Sequence, residues 1–591
     1  MVSPACPDND LPGATTIIVA GDALYAAQAL PLLHGLDLEV ITAIAREISW
    51  FTLPGGSTLF ECGETSDAIY FVTAGSLGVM PAGSSVPRPV VRLGAGESVG
   101  EMGMISGRPR SARVVAMRDT VLGRLSREAF STVLLRHPAA VMRFAELMVD
   151  RVAGSGARVH EARPRTITLV PHGIDVDIAG FALDFVNALN AAGRAELVWS
   201  ARGGAHTSQW FHQLEARNDF VVYATDPGNS PWTRLCARQA DVVLLLARAE
   251  SEPGPWQALE GSPFAAECSE LVLLHDDVIV AGAAARWRRH LPGIAHHHVR
   301  NEADTARVAR LLTGRAVGIV LSGGGARGFA HLGVVRALRE YGIAVDRVGG
   351  TSMGAIMGAG VAADWSDAEM IERFRRSFVA TNPLADFTLP IVSLVSGRKV
   401  SRLLRREFGE IDIADLPLPY FCVSANLTTG GLGVHEGGEL WRWLRASLAI
   451  PGVLPPVFRG GEVYVDGGAM NNLPVDVMQE RRRGPVIGVD VGADRAFTTD
   501  IEETDLPPLW RLAARFGGRR GRPNILQILW RTGMVNSAAA TAHMRRQTSL
   551  LLRPPLESID LLNWKSFDRA IALGYDYARR VLDERDGKLE T

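Results

Sequence analysis

The sequence predicts a multidomain α/β protein, in which a small β-barrel with flanking helices precedes two α/β units. The 591 residues are several times the usual length of about 100 to 200 residues for one domain. Short β-rich runs alternate with glycine turns between residues 50 and 124, as a small barrel requires. From residue 163 onward, apolar strands alternate with helical stretches, and this alternation is typical of an α/β fold.

The overall composition excludes several classes of protein. Hydrophobic residues make up 47% and charged residues 21% of the chain, which suits folded domains. A formal net charge of −2 gives no general attraction to nucleic acid, so we expect no nucleic-acid partner. The cysteines form no CxxC pair and favour a reducing compartment without disulfides or zinc: Cys6, Cys62, Cys236, Cys268 and Cys422. With no signal-peptide pattern and no apolar run of about 18 residues, we expect a cytoplasmic protein, soluble or peripheral to the inner face of the membrane.

Changes in the residue pattern along the chain predict four segments. Residues 1–30 are an N-terminal segment, and residues 31–155 form a barrel domain that starts with a helix and ends with the helical stretch 127–151. Residues 163–313 form an α/β connector domain, and residues 315–591 form a second α/β domain with a C-terminal helical extension. The sequence leaves the oligomeric state open.

The connector shows no phosphate-binding motif. Its first strand, Thr166–Val170, runs into Pro171-His-Gly-Ile-Asp175, which lacks the Gly-Lys-Ser/Thr of a phosphate loop. We therefore favour a structural role over a nucleotide site, since a fold alone does not define a function. The run His296-His-His298 is predicted to be a surface turn and not a metal site, because adjacent side chains point in different directions.

The last domain contains two glycine motifs, each after a predicted strand. Ala316–Leu321 leads into Ser322-Gly-Gly-Gly-Ala-Arg-Gly328, whose glycines free backbone N–H groups to converge on a negative charge. The next strand, Ile343–Val348, leads into Gly350-Thr-Ser-Met-Gly354 and a helix of small residues. G-x-S-x-G between a strand and a helix is the nucleophile-elbow pattern, so Ser352 is the candidate nucleophile of an acyl transfer.

The candidate base is an aspartate. Only His435 and His543 follow Ser352, and neither has a persuasive motif around it. The strand Glu462-Val-Tyr-Val-Asp466 instead delivers Asp466 into a glycine pair, which without Ser352 would be interpreted as a hairpin turn. A Ser352–Asp466 dyad is the preferred interpretation, and an ordinary α/β-hydrolase using His543 is the alternative.

A dinucleotide site is a second alternative for the first glycine motif. Gly323, Gly325 and Gly328 match G-x-G-x-x-G, which needs an acid about 20 residues further along. Asp346 is near that distance, but it precedes Arg347-Val348 and the strand ends in the serine turn.

Taken in order, these motifs resemble the patatin-like phospholipases. The resemblance covers residues 315–491 strongly, includes the stretches Leu448–Pro456 and Gly468–Val475, and shows no departure at a motif residue. It implies an α/β fold, Ser352 as nucleophile, Asp466 as base and no catalytic cofactor or metal. It also implies that Gly323, Gly324 and Gly325 line the oxyanion hole. Arg327 either steadies this loop or attracts a lipid phosphate.

The barrel domain is similar to cyclic-nucleotide-binding domains. Gly100-Glu101, eight residues and then Arg110-Ser111-Ala112 match their phosphate-binding cassette. Arg110 can pair with a cyclic phosphate, backbone N–H groups add donors, Glu101 can accept from the ribose 2′-OH, and Ser111 offers a hydroxyl. The ligand would be cAMP or cGMP, and the alternative is a cassette that no longer binds nucleotide.

The order of the three domains resembles the bacterial relatives of neuropathy target esterase. This resemblance implies hydrolysis of phospholipids or lysophospholipids, and we expect the protein to meet them at a membrane surface. The sequence leaves open whether a cyclic nucleotide regulates this activity. The alternative is a non-enzymatic nucleotide sensor with an inactive esterase domain. The segment 510–531 interleaves aromatic and basic residues, which fits either an interfacial anchor or a helix with a solvated basic face.

Overall fold

The structure, a computed structural model, describes residues 15–16, 38–80, 91–136, 164–203, 208–254, 256, 268–480, 483–492, 528, 537 and 540–589. The chain divides into two units, Met1–Leu274 with Arg288–His296, and His275–Trp287 with His297–Thr591. Segment 510–531, apart from Ile528, lies outside the described residues, and so does the predicted helical stretch 127–151 beyond Arg136.

Short strands form the predicted barrel in the first unit. Its strands make a five-stranded sheet in the order β1-β2-β9-β4-β7 and a four-stranded sheet in the order β3-β8-β5-β6. Apolar side chains from both sheets, including Phe51, Tyr70 and Leu122, fill the space between them. The elements are β1 (Thr15–Thr16), α1 (Leu38–Glu47), β2 (Ser49–Leu53), β3 (Thr58–Phe60), β4 (Ala68–Ala74), β5 (Leu77–Met80), β6 (Val91–Leu93), β7 (Ser98–Val99), α2 (Glu101–Ser106), β8 (Arg113–Ala116), β9 (Thr120–Ser126) and α3 (Arg127–Arg136).

A buried ionic cluster joins the barrel to the connector within the first unit. Arg118, in the turn between β8 and β9, donates to Glu215 at 2.8 Å and contacts Asp241 at 2.9 Å. Asp241 also accepts from the Ser76 hydroxyl at 3.0 Å and from the backbone N–H of Thr166 at 3.1 Å. Removing one partner of such a cluster leaves an uncompensated buried charge, so these contacts fix how the two domains meet.

The connector is the α/β domain that the sequence predicts. Five of its strands pair in parallel in the order β11-β12-β10-β13-β14. Helix α7 begins where Ser230 accepts from the Thr233 N–H, with Pro231 in the first turn. The elements are β10 (Thr166–Pro171), α4 (Ile178–Asn190), β11 (Ala195–Val198), α5 (Ser200–Gly203), α6 (Ser208–Arg217), β12 (Phe220–Ala224), α7 (Pro231–Gln239), β13 (Val242–Arg248), β14 (Ser269–Leu274), α8 (Ala283–Arg288), β15 (Ala295–Val299) and α9 (Glu302–Leu312).

The surface turn predicted for the histidine run is wrong. These residues belong to β15, and His297 and His298 are buried. His298 contacts His275 at 2.8 Å through Nδ1 and the Ala414 carbonyl at 2.8 Å through Nε2. Burial lowers the pKa of His298 to about 4, so the neutral imidazole donates to the carbonyl and accepts from His275.

The second unit contains a mixed eight-stranded sheet. Its order is β20-β21-β18-β17-β16-β22-β23, with β19 paired to β18. Helices cover the sheet, and Phe329 packs on Phe567 of α16 at a ring distance of 4.6 Å. The elements are β16 (Gly318–Leu321), α10 (Ala330–Glu340), β17 (Arg347–Thr351), α11 (Met353–Ala362), α12 (Asp367–Phe374), α13 (Arg398–Phe408), β18 (Tyr420–Asn426), β19 (Gly431–His435), α14 (Leu440–Ser447), β20 (Val457–Arg459), β21 (Glu462–Asp466), α15 (Val475–Gln479), β22 (Val486–Val489), β23 (Leu550–Leu552) and α16 (Phe567–Asp583).

The strand register brings the three predicted motifs to one region of this sheet. Strands β16 and β17 are parallel, with Leu321 opposite Gly350, so the loops that follow them leave at the same edge. Thr351 lies opposite Val423 of β18, and Asp466 lies opposite the next residue of β18, Ser424. The glycine loop, the serine turn and Asp466 therefore meet.

Asp346, the acid that the dinucleotide alternative requires, forms hydrogen bonds that hold the fold together. Its carboxylate is fully buried and accepts a two-pronged hydrogen bond from Arg310, at 2.6 Å from Nη2 and 2.9 Å from Nε. It also accepts from the backbone N–H of Val317 at 3.0 Å. These contacts join α9 to the start of β16, so they do not support the dinucleotide alternative.

Candidate active site

Ser352 occupies a strained turn between β17 and α11. Its φ of 55° and ψ of −124° lie outside the regions that non-glycine residues ordinarily adopt. The flanking glycines permit this turn: a Cβ at Gly354 would lie 2.2 Å from the Leu321 carbonyl oxygen, and one at Gly350 would lie 2.7 Å from the Gly354 backbone. The chain can therefore bend sharply enough to present the serine hydroxyl above the sheet.

The Ser352 hydroxyl donates to the Asp466 carboxylate. The distance from Ser352 Oγ to Asp466 Oδ2 is 2.8 Å, and the two residues are only 1% and 3% exposed. Asp466 Oδ1 accepts from the Gly468 N–H at 2.8 Å, and the Asp466 N–H donates to the Ala449 carbonyl at 2.9 Å. Burial raises the pKa of Asp466 to about 7, although the hydrogen bonds from Gly468 and Ser352 act in the opposite direction.

The glycine loop lies directly beside Ser352. A Cβ at Gly323 would be 2.9 Å from the Ser352 Cβ, and one at Gly325, whose φ is +55°, would be 2.2 Å from the Leu561 carbonyl oxygen. Among the described residues, no backbone hydrogen bond uses the N–H groups of Gly323, Gly324 or Gly325. The loop thus places Gly323 next to Ser352, and the backbone N–H groups of the three glycines are candidate donors to an oxyanion.

Three further residues hold the site in place, and no role was predicted for them from the sequence. Ser447 accepts from the Ser352 N–H at 2.9 Å, and the Asn472 amide donates to the Gly323 carbonyl at 3.2 Å. His331 is fully buried with Nε2 2.9 Å from the Ser322 carbonyl oxygen, and burial lowers its pKa to about 4. The neutral ring therefore fixes the start of the glycine loop.

The remaining candidate residues have hydrogen-bond partners of their own. Arg327 donates through Nε to the Ile559 carbonyl at 2.7 Å, a contact that ties the glycine loop to the C-terminal region. His435 contacts the Ser424 hydroxyl at 2.7 Å and stacks on Trp443 at 3.7 Å. His543 contacts Gln547 and not Ser352 or Asp466, so the geometry gives no support to a histidine triad.

The candidate nucleotide residues surround the short helix α2 of the barrel. Gly100 precedes it with φ +90°, Glu101 is buried in its first turn, and Ser111 is exposed. Arg110 is buried and donates to the carbonyls of Gly100 at 2.9 Å and Ala68 at 2.8 Å. Its guanidinium also lies 4.2 Å from the centre of the Phe60 ring. The four residues therefore come together, with Arg110 hydrogen-bonded inside the barrel.

No group of three or more histidine, cysteine, aspartate or glutamate side chains that could hold a metal ion occurs in the described part of the chain. Within the same residues, no helix combines the length and the apolar character of a membrane-spanning segment.

Three family models match successive parts of the chain. They are a cyclic nucleotide-binding domain at residues 50–137, a neuropathy target esterase (NTE) family P-loop-like domain at residues 163–317, and a patatin-like phospholipase at residues 319–478. The fold and the three-domain order thus define the class of protein: a patatin-like phospholipase domain preceded by a cyclic nucleotide-binding domain. The residue limits predicted above for the four segments remain predictions.

Comparison with curated proteins then identifies the family. An uncharacterized NTE family protein of Mycobacterium tuberculosis is 31% identical over 583 residues, which cover 95% of this chain and 96% of the relative. This chain therefore belongs to the NTE family. Patatin-like phospholipase domain-containing protein 6 of Homo sapiens is 29% identical over 648 residues, which cover 96% of this chain and 46% of the human protein. Lysophospholipase NTE1 of Candida glabrata is 27% identical over 704 residues, which cover 92% of this chain and 41% of the Candida glabrata protein. The chain thus spans about half the length of these eukaryotic relatives.

Proposed function

We propose that this protein hydrolyses acyl ester bonds of phospholipids or lysophospholipids, with Ser352 as the nucleophile and Asp466 as the base. The observation that carries the proposal is the 2.8 Å hydrogen bond between the Ser352 hydroxyl and the Asp466 carboxylate, with Gly323 of the glycine loop beside the serine. The names of the human and Candida glabrata relatives, a phospholipase-domain protein and a lysophospholipase, support a lipid ester as the substrate class.

In the first half of the reaction, Ser352 Oγ attacks the ester carbonyl carbon and its proton passes to Asp466. The carbonyl oxygen becomes an oxyanion, which accepts hydrogen bonds from the N–H groups of Gly323, Gly324 and Gly325. When the tetrahedral intermediate collapses, the C–O bond of the ester breaks and Asp466 returns the proton to the leaving alcohol. The acyl group remains on Ser352.

In the second half, a water molecule attacks the acyl-serine and Asp466 accepts the proton of that water. The second tetrahedral intermediate collapses to the fatty acid, and Asp466 returns the proton to Ser352 Oγ. A carboxyl group that must accept and release a proton works best when its pKa is near the pH of the reaction. The burial that raises the pKa of Asp466 to about 7 supplies this property without a histidine.

The pKa of Asp466 predicts the pH dependence of hydrolysis. Below its pKa the carboxyl group is protonated and cannot accept the serine proton, so activity falls as the pH falls. We expect kcat/KM for a soluble ester to drop about tenfold per pH unit below about pH 7 and to level off above it. Circular dichroism at each pH separates this effect from unfolding. Activity that stays constant from about pH 8 down to about pH 5 would contradict a base with a raised pKa.

A fluorophosphonate probe tests the nucleophile directly. Such a probe reacts with activated serine hydroxyls and forms a covalent adduct. We expect one labelled peptide, containing Ser352, and loss of labelling in Ser352→Ala. A wild-type protein that does not react would favour the alternative of a nucleotide sensor with an inactive esterase domain.

We also propose that the barrel binds cAMP or cGMP through Gly100, Glu101, Arg110 and Ser111. The match of residues 50–137 to the cyclic nucleotide-binding domain supports this proposal. Arg110 donates to two neutral carbonyls, at 2.9 and 2.8 Å, and its Nη2 lies 3.5 Å from a carboxylate oxygen of Asp67. A cyclic phosphate would exchange the two neutral partners for a charged one, and hydrogen bonds between charged groups are about twice as strong as neutral ones.

Nucleotide binding predicts a thermal shift. At about a hundredfold excess over Kd, a ligand that binds only the folded state stabilises it by about 2.7 kcal/mol. We expect cAMP or cGMP to raise the melting temperature of the wild type and not that of Arg110→Ala. Arg113→Ala is the matched control, since the Arg113 side chain is 45% exposed and pairs with Glu61. Calorimetry that detects no heat with either nucleotide would exclude the site.

A further inference from the structure

Four large apolar side chains are exposed within six residues of the second unit. Phe387 is 75% exposed, Leu389 73%, Ile391 81% and Val392 61%. Single exposed apolar residues are common on protein surfaces, whereas a contiguous group of them marks a contact with another apolar body. We call residues 386–395 the apolar loop.

Hydrogen bonds hold the apolar loop in a defined shape. Phe387 and Val395 form an antiparallel bridge, and the Thr388 N–H donates to the Leu394 carbonyl at 3.1 Å. At the base of the loop, Asp386 accepts from the Ser396 hydroxyl at 2.6 Å and from the Lys399 N–H at 3.1 Å. The loop therefore presents its apolar side chains from a fixed base.

A short segment links the apolar loop to the candidate active site. The N–H groups of Leu394 and Val395 donate to the carbonyls of Gly452 and Val453 at 2.9 and 3.0 Å. Five residues before Gly452, the Ser447 hydroxyl accepts from the Ser352 N–H at 2.9 Å. Five residues of chain span at most about 18 Å, so the loop is anchored close to the serine.

Positive charge follows the apolar loop directly. Arg398, Lys399 and Arg402 lie in the first turns of α13 and are exposed, and none of them has an ion-pair partner among the described residues. Cations at a helix N-terminus oppose the helix dipole, so helix stability does not account for them. Exposed apolar side chains beside unpaired cations match the acyl boundary and the anionic headgroups of a membrane.

We propose that the apolar loop and the three cations of α13 dock the second unit on an anionic lipid bilayer, with Ser352 held near the membrane surface. A bilayer suits this surface better than a protein does, because a bilayer offers an apolar acyl layer and an anionic headgroup layer together. The contact between Asp386 and the Lys399 N–H brings the apolar loop next to the cations of α13, so both layers can be met at once. The proposal rests on the lipid esterase function proposed above, since that function requires the site to meet lipid.

The test compares wild type with Leu389→Ser/Ile391→Ser in full-length protein. Both side chains are largely exposed, so their replacement leaves the core intact. We expect the fraction that sediments with vesicles of phosphatidylcholine and phosphatidylserine to fall at least about tenfold, because two apolar contacts with the acyl layer are lost. Ile174→Ser, at a side chain that is 95% exposed in the first unit, is the matched control and should sediment like wild type.

Charge reversal tests the cations separately. Arg398→Glu/Lys399→Glu should weaken sedimentation with phosphatidylserine vesicles, and added salt should reduce the difference from wild type. Lys588→Glu is the matched control, at an exposed lysine near the C-terminus. Equal sedimentation of wild type and both loop and charge variants would overturn the docking proposal, as would a wild type that binds no vesicles.

A soluble short-chain ester separates this proposal from the proposed function. The docking variants should hydrolyse it within about twofold of wild type, because their substitutions lie at exposed side chains that contribute little to stability. They should lose activity on lipid vesicles in proportion to their loss of sedimentation. A wild type that sediments with vesicles but hydrolyses neither substrate would refute the esterase function and leave membrane docking standing.

Discussion

Ser352→Ala is expected to lower kcat for ester hydrolysis by about 10³ or more. The alanine has no hydroxyl, so no acyl-enzyme forms and only the binding and oxyanion contributions remain. The backbone at this position keeps its strained φ of 55°, so the substitution leaves the turn as it is. Initial rates on a soluble ester measure the loss without any requirement for a membrane.

Asp466→Asn is expected to produce a loss of similar size, for a different reason. Asparagine has nearly the same shape, and its amide oxygen can still accept from the Gly468 N–H, which now donates to Asp466 at 2.8 Å. Its amide group cannot accept the serine proton, since it has no titratable carboxylate. The fold should therefore persist while the base is lost.

Two control variants distinguish this mechanism from its alternatives. Ser352→Gly should be inactive yet at least as stable as wild type, because glycine relieves a backbone strain of about 1 to 3 kcal/mol. His543→Ala should keep near-normal kcat, since His543 contacts Gln547 and not Ser352 or Asp466. An inactive His543→Ala together with an active Asp466→Asn would instead demand the histidine triad.

Local patterns in the sequence predicted the strands and turns that deliver the candidate site. The strand predicted at Glu462–Asp466 has the same bounds in the structure. The prediction was less accurate for the strand before the serine turn. This strand was predicted at residues 343–348 and lies at Arg347–Thr351. Gly349 and Gly350 were interpreted as the end of the strand, yet they pair with Phe421 and Cys422. The Phe421 ring fills the space where a Gly349 side chain would lie, so glycine here serves packing.

Residues whose roles depend on distant contacts gave no local signal. Ser447 is 95 positions from Ser352 and Asn472 is 149 positions from Gly323. Each is an ordinary polar residue at the end of a helix or in a turn, and only the folded sheet brings it to the site. The prediction of a surface turn for the histidine run was wrong for the same reason, since His298 contacts the carbonyl of Ala414, which is 116 positions away.

Gly324→Val is expected to lower kcat by about 10² to 10³ with little change in KM. A Cβ at Gly324 would lie 2.6 Å from Val491 Cγ2, so the larger side chain must push the loop away from its present position. The N–H groups of the loop then no longer point at the oxyanion, which exists only in the transition state and the tetrahedral intermediates. Loss of one such donor costs about 3 to 4 kcal/mol in the activation free energy.

Shortening Val491 tests whether displacement of the glycine loop causes the loss of kcat in Gly324→Val. In Gly324→Val/Val491→Ala the Cγ2 atom that blocks the new side chain is absent, so the loop can return towards its original path. We expect kcat to recover by tenfold or more relative to Gly324→Val, an increase of about 1.4 kcal/mol or more in transition-state stabilisation. Melting temperatures of both variants show whether the core at Val491 has suffered. If Gly324→Val raised KM and left kcat unchanged, the loop would bind substrate or pack against the domain, and the oxyanion would have to be held elsewhere.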